Sequence, residues 1–288
     1  MITCNLMGGL GNQLFQIFTT ISYALELNLE YNFLDVPTLG SGNATMRSTY
    51  WKTFLVGLQP YITVYFPVLK FIKEKGFHYT DLEPFINSQK ENDICLFGYF
   101  QSYKYFEKNK DALFQLIGID IHKLNLTHQE QSDKKKLLKT VSMHFRIGDY
   151  IPIQGKHLIL SYTYYENALS YLEDNLEDNT DKIEEILFFC HDDDLLDTMI
   201  IIDKLEVKYD KYIFKRANPL LSDWEQLVYM SMCKYNIIAN STFSWWGAYF
   251  NTNNEKVVCY PDKWFGPEQS HDVSDLFLDD WVSISCNE

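Results

Sequence analysis

The sequence predicts an α/β protein built from two doubly wound domains that face a cleft, and three observations support this prediction. The first residues have the pattern of strand, turn, helix and strand, which is one unit of a parallel sheet. After about residue 140, short apolar runs alternate regularly with helical patterns. A chain of 288 residues without a repeat of fixed period fits two domains and excludes solenoids and propellers.

The first unit begins with a predicted strand over 2–6, which is followed by a glycine-rich turn. Apolar residues then recur at helical spacing, with Asn12 at the expected N-cap, and a second strand is expected over 31–34. The middle of the chain is less regular. A strand over 94–100 and a helix over 105–117 are predicted there between aromatic-rich segments.

The most polar stretch of the chain, 132–139, is rich in lysine and aspartate, and we place the domain boundary there. This gives an N-terminal domain over 1–135 and a C-terminal domain over 136–288. Matches to the capping box open two helices of the second domain, one at Thr163 and one at Ser222. The elements predicted for this domain are strands over 141–145, 186–190, 236–239 and 257–260, and helices over 163–175, 195–205, 223–234 and 243–250.

The charge balance excludes several classes of partner. The chain has 25 Lys and Arg residues against 39 Asp and Glu residues, which gives a net charge of −14. Such a surface repels the phosphate backbone of nucleic acids and disfavours anionic membranes. A small anionic ligand requires a few well-placed cations and helix N-termini that overcome the acidic background.

Other global features predict a cytoplasmic protein. No run of about 18 apolar residues indicates a membrane span, and the first residues lack the pattern of a signal peptide. The six cysteines are scattered and contain no C-x-x-C pair. We therefore expect reduced, buried thiols rather than disulfides or a metal site.

A glycine-rich turn, GGLGNQ at 8–13, joins the first strand to the first helix. Glycine lets the backbone approach a ligand closely, and a helix start presents free N–H groups. Leu14 stands where a dinucleotide fingerprint has its third glycine, and no G-K-[ST] follows, so neither an NAD motif nor a P-loop is complete. Anion binding by this turn and a plain connection without a ligand both stay open.

The second motif, HFRIGDY at 144–150, ends a predicted strand. Strand alternation places His144 and Arg146 on one face, and ligands of open α/β sheets bind at the carboxyl ends of strands. An arginine there presents a fixed cation with forked donors that suit a diphosphate. The alternative is a buried His–Asp structural pair with Arg146 in a salt bridge.

The third motif, NSTFSWWG at 240–247, lies where a predicted strand meets a helix. Three hydroxyls surround the helix N-terminus, where they can donate to phosphate oxygens without adding charge. Ordinary N-capping by Ser241 or Thr242 explains the same residues. The paired tryptophans are more typical of a core than of a ligand platform.

Three consecutive aspartates, Asp192–Asp194, follow the predicted strand over 186–190. Two carboxylates in a D-x-D pattern can hold Mg²⁺ or Mn²⁺ against a nucleotide diphosphate. One carboxylate can instead pair with the N1–H and the exocyclic amine of guanine. An acidic helix N-terminus, which the helix dipole favours, is the third interpretation, and the sequence leaves all three open.

Taken in chain order, these segments resemble the α-1,2-fucosyltransferases of glycosyltransferase family 11. The matching segments are GGLGNQLFQ at 8–16, HFRIGDY at 144–150, the stretch over 218–250 and VVCYPDKWF at 257–265. The resemblance implies a GT-B fold of two Rossmann-like domains, with the acceptor side in the N-terminal domain and the donor in the C-terminal domain. It also implies an inverting transfer of L-fucose from GDP-fucose to the 2-hydroxyl of a terminal β-galactoside, without a metal or another cofactor.

The resemblance assigns roles to residues of the motifs. Arg146 matches the arginine that related fucosyltransferases use on the donor phosphates, and Asp149 and His144 are the two candidates for a general base. Ile147 replaces the second arginine of the family, and His191 replaces the serine before its aspartate pair. The residues expected to bind the donor are Gly9, Gly11, Asn12, Gln13, Arg146, Asp192, Asp193, Asn240, Ser241, Thr242 and Ser244.

Three other functions are compatible with the sequence. A metal-dependent nucleotide-sugar glycosyltransferase would use Asp192–Asp194. The isoleucine at 147 makes a non-catalytic protein that binds nucleotide sugars or glycans conceivable. An NAD-dependent oxidoreductase rests only on Asp35 after the second strand. The expected partners are GDP-fucose and a galactose-terminated glycan, and not nucleic acid.

Overall fold

A computed structural model of the chain describes residues 1–40, 46–66, 69–130, 134–175 and 182–287. The chain divides into two compact units, which we call the N-terminal unit (Met1–Asp120 with His271–Leu278) and the C-terminal unit (Ile121–Ser270 with Asp279–Glu288). This division precedes the predicted boundary in 132–139, of which residues 132 and 133 lie outside the described residues. The predicted acceptor and donor roles of the two domains, and the cleft, stay predictions.

The N-terminal unit contains a parallel sheet of three strands. The strands of the whole unit are β1 (Ile2–Cys4), β2 (Phe33–Leu34), β3 (Thr38–Leu39), β4 (Arg47–Ser48), β5 (Ile62–Thr63), β6 (Leu69–Lys73) and β7 (Asp93–Phe97). Its helices are α1 (Leu10–Leu27), α2 (Glu83–Asn87) and α3 (Lys110–Ile117), and α4 (Ile119–Gln129) continues into the C-terminal unit. The sheet has the order β1-β7-β6, while β2 pairs with β5 in parallel and β3 with β4 in antiparallel orientation.

Helix α1 forms the centre of the core of the N-terminal unit. Phe15 and Phe18 are fully buried, and their rings pack on Phe106 with centroid distances of 5.9 and 5.6 Å. The helix begins at Leu10 with Gly9 as N-cap, so the predicted N-cap at Asn12 is wrong. The first helical hydrogen bond already runs to the Gly9 carbonyl, which places Asn12 inside the first turn.

The C-terminal unit contains a parallel sheet of six strands. The helices of this unit are α5 (Lys134–Leu137), α6 (Tyr162–Asn175), α7 (Leu195–Lys208), α8 (Asp223–Met230) and α9 (Thr242–Tyr249). Its strands are β8 (Thr140–His144), β9 (Glu185–Phe189), β10 (Ile213–Arg216), β11 (Tyr235–Ile237), β12 (Val257–Pro261) and β13 (Val282–Ile284). All neighbours are parallel in the order β10-β9-β8-β11-β12-β13, which is the Rossmann order 3-2-1-4-5-6 when strands are counted within the unit.

The core of the C-terminal unit is rich in aromatic residues. Strands β8 and β9 are buried along their whole length, as expected for parallel strands covered on both faces. Tyr164 and Tyr165 of α6 are buried, and their hydroxyls donate to the carbonyls of Ile238 at 2.5 Å and of His144 at 3.1 Å. Trp245 and Trp246 are fully buried, so the interpretation of the tryptophans as core is confirmed.

The α/β class with parallel sheets is confirmed, whereas several element boundaries were predicted wrongly. The capping box at Ser222 and Glu225 forms and opens α8. The box at Thr163 does not cap α6, because that helix already begins at Tyr162. Strands β6, β10 and β13 have no counterpart in the prediction.

Two global expectations can be compared with the structure. Among the described residues, no helix is both long enough and apolar enough to cross a membrane. All six cysteines are free thiols, as predicted, and five of them are buried while Cys286 is half-buried.

Candidate functional site

The candidate site lies where the order of the C-terminal sheet reverses. Strands β8 and β11 are neighbours there, with Ile237 opposite Met143, although α6, β9, α7, β10 and α8 lie between them along the chain. Ligands of open α/β sheets bind outside the carboxyl ends of the strands at such a switch point. The motifs at 144–150 and 240–247 follow these two strand ends, so the structure brings them together.

Hydrogen bonds join the segments that follow β8 and β11. The Tyr150 hydroxyl donates to the Asn240 carbonyl at 2.9 Å, and Asn240 Nδ2 donates to the carbonyls of Leu158 at 2.8 Å and Trp264 at 3.2 Å. The Tyr150 ring stacks on His157 at a centroid distance of 4.7 Å. Burial raises the pKa of Tyr150 to about 12, so its hydroxyl stays a donor at neutral pH. Asn240 therefore connects the loops around the site.

Arg146 is the cation at the switch point. It follows β8 by two residues, pairs with the carboxylate of Asp149 and keeps 28% of its side chain exposed. Its guanidinium carbon lies 5.7 Å from the centre of the Tyr150 ring. A guanidinium has five N–H donors, so the pair with Asp149 leaves it able to bind an anion as well. Because 41% of the Asp149 side chain is also exposed, the pair faces solvent rather than the core.

His144 is the last residue of β8 and is only 6% exposed, and its ring packs against Phe243 at a centroid distance of 5.5 Å. Burial, assisted by the charge of Arg146, lowers the pKa of His144 to about 3. The imidazole is therefore neutral at pH 7 and a weak proton acceptor. The structure pairs Asp149 with Arg146, so the salt bridge of the structural alternative forms.

Asp194 holds the turn that carries Arg146. Its carboxylate is only 4% exposed and accepts the N–H groups of Ile147 at 3.2 Å and Gly148 at 2.9 Å. A Cβ atom on residue 148 would lie closer than 3.0 Å to this carboxylate, which explains the glycine. Ile147, at the position of the family's second arginine, is 6% exposed and contributes an apolar side chain to the interior.

The other two aspartates have different surroundings. Asp192 is 72% exposed and pairs with Arg216, and Asp193 is 89% exposed beside the imidazole of His191. Within the described part of the chain, no group of three or more His, Cys, Asp or Glu side chains is arranged to hold a metal ion. The three carboxylates therefore have separate surroundings, and metal binding by two of them against a diphosphate stays an alternative.

Arg216 is a second guanidinium at the same edge of the sheet, and sequence reasoning missed it. It ends β10, next to the strand that carries the aspartates, and 23% of its side chain is exposed. The signal would have been the alternating pattern over 213–216, which places Arg216 at a strand end. Because β10 was not predicted, the residue had no place in the site.

The start of α9 combines capping with hydroxyl side chains that are buried or half-buried. Ser241 is the N-cap, and its Oγ accepts the N–H of Phe243 at 3.4 Å, so the capping interpretation is confirmed for this residue. Ser244 is buried, and its Oγ donates to the carbonyls of Ala239 at 3.4 Å and Ser241 at 3.3 Å. Thr242 is half-buried in the first turn. Donor binding by these hydroxyls stays a prediction.

The glycine-rich turn belongs to the N-terminal unit. Gly8 has a φ of +77°, and a Cβ atom there would lie 2.5 Å from Asn12 Nδ2. Gly9 has a φ of −78°, and apart from its two chain neighbours no described residue has an atom within 4 Å of a Cβ atom placed on it. Gly8 is thus required by the turn itself. The backbone at Gly9, by contrast, faces open space at the start of an 18-residue helix.

Buried amides fix this turn from the side of the helix. Gln13 Nε2 donates to the carbonyls of Gly8 at 3.0 Å and Ser48 at 2.9 Å. Gln16 accepts the N–H of Met7 at 2.9 Å and donates to its carbonyl at 3.2 Å. Both glutamine side chains are fully buried, so Gln13 positions the turn with its amide. The sequence motif gave no indication that Gln16, one helical turn further along, also holds the backbone of this turn.

Asn12 and Gly11 complete the predicted set in this turn. Asn12 Oδ1 accepts from Gln101 Nε2 at 3.0 Å, which ties the first turn of α1 to the segment after β7. Gly11 is buried inside that turn. Gln101 lies in the region of the chain that gave no recognisable motif, and only the fold places it beside Asn12.

Comparison with known proteins decides the family. The model of glycosyl transferase family 11 matches residues 1–285, which is nearly the whole chain. The chain belongs to this family. It is therefore a glycosyltransferase, as the four motifs predicted.

Two relatives and one solved structure illustrate the similarity. The O-antigen biosynthesis glycosyltransferase WbnK of Escherichia coli is 34% identical over 202 residues, which cover 68% of this chain and 62% of that protein. The match thus spans less than two thirds of that relative. An alpha-1,2-colitosyltransferase of Escherichia coli is 27% identical over 99% of both chains. A mutant of Arabidopsis thaliana FUT1 in complex with GDP is 10% identical, with a TM-score of 0.45 over 88% of this chain and 71% of the other.

Proposed function

We propose that this glycosyltransferase transfers L-fucose from GDP-fucose to the 2-hydroxyl of a terminal β-galactoside, with inversion at the anomeric carbon. The observation that carries the proposal is the position of Arg146, a partly exposed guanidinium at the switch point of a Rossmann-ordered sheet. An arginine there binds a nucleoside diphosphate through forked donors. The alpha-1,2 linkage in the name of the colitosyltransferase supports the proposed linkage.

The mechanism follows from the charges that develop during transfer. Cleavage of the anomeric C–O bond builds positive charge on the sugar ring and negative charge on the departing GDP. Arg146 stabilises the leaving diphosphate, and the hydroxyls of Ser241 and Thr242 at the start of α9 add neutral donors. The carboxylates of Asp192 and Asp193 are exposed at the same sheet edge, where they can accept from the guanine base.

Inversion requires that the acceptor hydroxyl attack the anomeric carbon directly, on the face opposite GDP. Its proton passes to a general base, which contributes about 10²–10⁴-fold. Asp149 is the more suitable of the two candidates, because it is exposed while His144 is buried with a strongly lowered pKa. Asp149 also orients Arg146, so its replacement affects both donor binding and proton transfer.

The backbone of the glycine-rich turn supplies further donors in this proposal. The start of α1 presents N–H groups, and the open space at Gly9 admits a ligand close to the backbone. Gln13 and Asn12 keep the turn in this conformation through their amides. No metal or other cofactor is part of the proposed reaction.

A second donor sugar is suggested by the colitosyltransferase, which matches the chain over 99% of its length. Nucleotide-activated colitose is therefore the second candidate donor. Competition between the two donors for one acceptor decides between the sugars, because the better substrate has the higher kcat/KM.

The central experiment replaces Arg146 by lysine. We expect Arg146→Lys to lose about 100-fold or more of kcat for transfer from GDP-fucose to lactose, because an ammonium cannot replace the forked donors. The melting temperature should stay near that of the wild type, since the side chain is partly exposed. Arg47→Lys, in the N-terminal unit, is the matched control and should keep wild-type turnover. Full turnover in Arg146→Lys would contradict the proposal.

The same assay separates the metal-dependent alternative. Turnover with EDTA present should equal turnover without it, because no step uses a divalent cation. Loss of activity with EDTA that Mg²⁺ or Mn²⁺ restores would instead favour the use of Asp192–Asp194 as a metal site. Binding of GDP without transfer to any β-galactoside would favour a non-catalytic protein.

A further inference from the structure

Strand β6, the residues just after it and the neighbouring elements α2 and β7 carry a group of lysines and phenylalanines that none of the proposed chemistry uses. Four of them, Lys70, Phe71, Lys73 and Lys75, are exposed, and together with Phe85 of α2 they line a cavity of about 570 Å³. The ring of Phe97 on the neighbouring strand borders them. We call the following residues the β6 patch: Lys70, Phe71, Lys73, Lys75, Phe85 and Phe97.

The aromatic rings and the ammonium groups of the patch contact each other. Phe71 is 57% exposed and meets Phe97 edge to face, with 6.3 Å between the ring centroids. Lys75 Nζ lies 4.7 Å from the centre of the Phe85 ring, and Lys73 Nζ lies 6.0 Å from that of Phe97. Exposed apolar rings and positive charges therefore alternate within one small surface.

Protection of the sheet edge explains only part of this composition. Among the described residues, β6 pairs with β7 alone, and lysines on an edge strand prevent pairing with another chain. This accounts for Lys70 and Lys73. It does not account for Phe71, because an exposed aromatic ring beside the unpaired edge promotes association rather than preventing it.

The patch is also a local exception to the acidic character of the chain. Three lysines occur within six consecutive residues of a chain with a net charge of −14. The acidic member of the cavity lining, Glu74, accepts the N–H groups of Tyr99 at 2.7 Å and Phe100 at 2.9 Å. Burial raises the pKa of Glu74 to about 7, so its negative charge offsets the lysines only in part.

We propose that the β6 patch attaches the protein to the surface of an anionic lipid bilayer. The lysines pair with lipid phosphates, and the phenylalanine rings enter the region of the headgroups, which is how peripheral proteins combine charge and apolar area. The net charge does not oppose this, because charges farther than about 8 Å from the lipid are largely screened at physiological salt. Contact is therefore decided by the local patch, contrary to the expectation from total charge.

Cosedimentation of the full chain with vesicles tests the proposal. We expect binding to phosphatidylcholine vesicles that contain 30% phosphatidylglycerol and no measurable binding to phosphatidylcholine alone. The triple variant Lys70→Gln, Lys73→Gln and Lys75→Gln should reduce the partition coefficient by about 100-fold. A control variant with the same charge change, Lys134→Gln, Lys135→Gln and Lys204→Gln, should bind nearly as well as the wild type.

The aromatic contribution needs a separate variant. Phe71→Ser leaves every charge in place, and we expect it to weaken binding to the same anionic vesicles by about tenfold, through loss of apolar contact alone. Circular dichroism checks that each variant is folded. We expect all of them to fold, because every substituted side chain is exposed. Equal binding to neutral and anionic vesicles, no binding to either, or equal effects of the two lysine variants would overturn the proposal. None of these outcomes depends on transferase activity.

Discussion

At the scale of single residues, Asp194 differs from its two neighbours because its carboxylate faces the interior. Both oxygens accept backbone N–H groups of the turn after β8, while Asp193 is 89% exposed. A carboxylate that accepts two N–H groups holds a turn more firmly than a neutral acceptor does. Asp194 therefore fixes the backbone from which Arg146 and Asp149 project.

This arrangement predicts the effect of Asp194→Asn. The amide keeps the size of the side chain but brings an NH₂ group towards a backbone N–H, so the turn loosens and Arg146 loses its fixed position. We expect kcat/KM for the donor to fall about tenfold or more, with about 1–3 kcal/mol lost from the free energy of unfolding. Steady-state kinetics and urea unfolding measure the two effects. Asp203→Asn, at an exposed position of α7, is the matched control and should change neither; identical kinetics of both variants would disprove the role of Asp194.

At the scale of elements, the connection from β1 to α1 contains two glycines with different reasons to be glycine. The backbone of Gly8 is left-handed with a φ of +77°, whereas that of Gly9 has an extended conformation that any type of residue can adopt. A side chain on residue 8 meets Asn12, and one on residue 9 meets no described atom apart from those of its two chain neighbours. The fold therefore requires Gly8, whereas the turn leaves space for a side chain at residue 9, where we propose that the donor approaches the backbone.

Alanine at each position separates these reasons. Gly9→Ala should keep or slightly raise stability, by about 0.4–1 kcal/mol, because the unfolded chain loses freedom. Its methyl group occupies the space next to the backbone, so we expect the KM for the sugar donor to rise about tenfold. Gly8→Ala should instead lower the melting temperature, because of its left-handed backbone. Unchanged kinetics in Gly9→Ala would mean that the turn is a plain connection without a ligand.

Three of the strands that sequence reasoning missed share one property. Strands β6, β10 and β13 all lie at the edge of a sheet, and each has only partial burial. Central parallel strands are covered on both faces and therefore appear as continuous apolar runs, as β8 and β9 do. An edge strand such as LKFIK includes lysines, so its pattern resembles a loop. Arg216 was missed for the same reason.

At the scale of the whole molecule, burial of ionisable groups makes stability depend on pH. Burial keeps His144 neutral in the folded state, with a pKa of about 3 against an ordinary value of 6.5. Below pH 6.5 the unfolded chain gains a proton that the folded chain does not, so acid lowers stability down to about pH 3. Glu74 acts in the opposite direction, because its raised pKa favours the folded state as the pH falls below about 7.

A comparison with His144→Asn isolates the contribution of the histidine. We expect the difference in unfolding free energy between wild type and variant to shift by about 1.4 kcal/mol per pH unit below 6.5, with the wild type losing more. Urea unfolding at pH 7.0 and pH 5.5 measures this difference, in which the effect of Glu74 cancels. A difference that is the same at both pH values would show that His144 is not buried in its neutral form.

The sequence by itself determined the α/β class, the family and the position of Arg146 at a strand end. These properties follow from local patterns: apolar runs mark central strands, and the motifs occur in chain order. The sequence also showed directly that Ile147 replaces an arginine of the family. It did not show that the Ile147 side chain is buried. Local order is enough here, because a residue that directly follows a central parallel strand must lie at the carboxyl edge of the sheet.

Only the tertiary structure decided what the side chains at that edge contact. Asp194 and Asp192 have partners on opposite sides, because β9 lies between β8 and β10 in the sheet. Asp194 reaches the turn after β8, and Asp192 reaches Arg216 at the end of β10. The order of strands in space is set by the packing of the whole unit, so no local pattern contains it. The same holds for Gln101 beside Asn12, which are 89 positions apart along the chain.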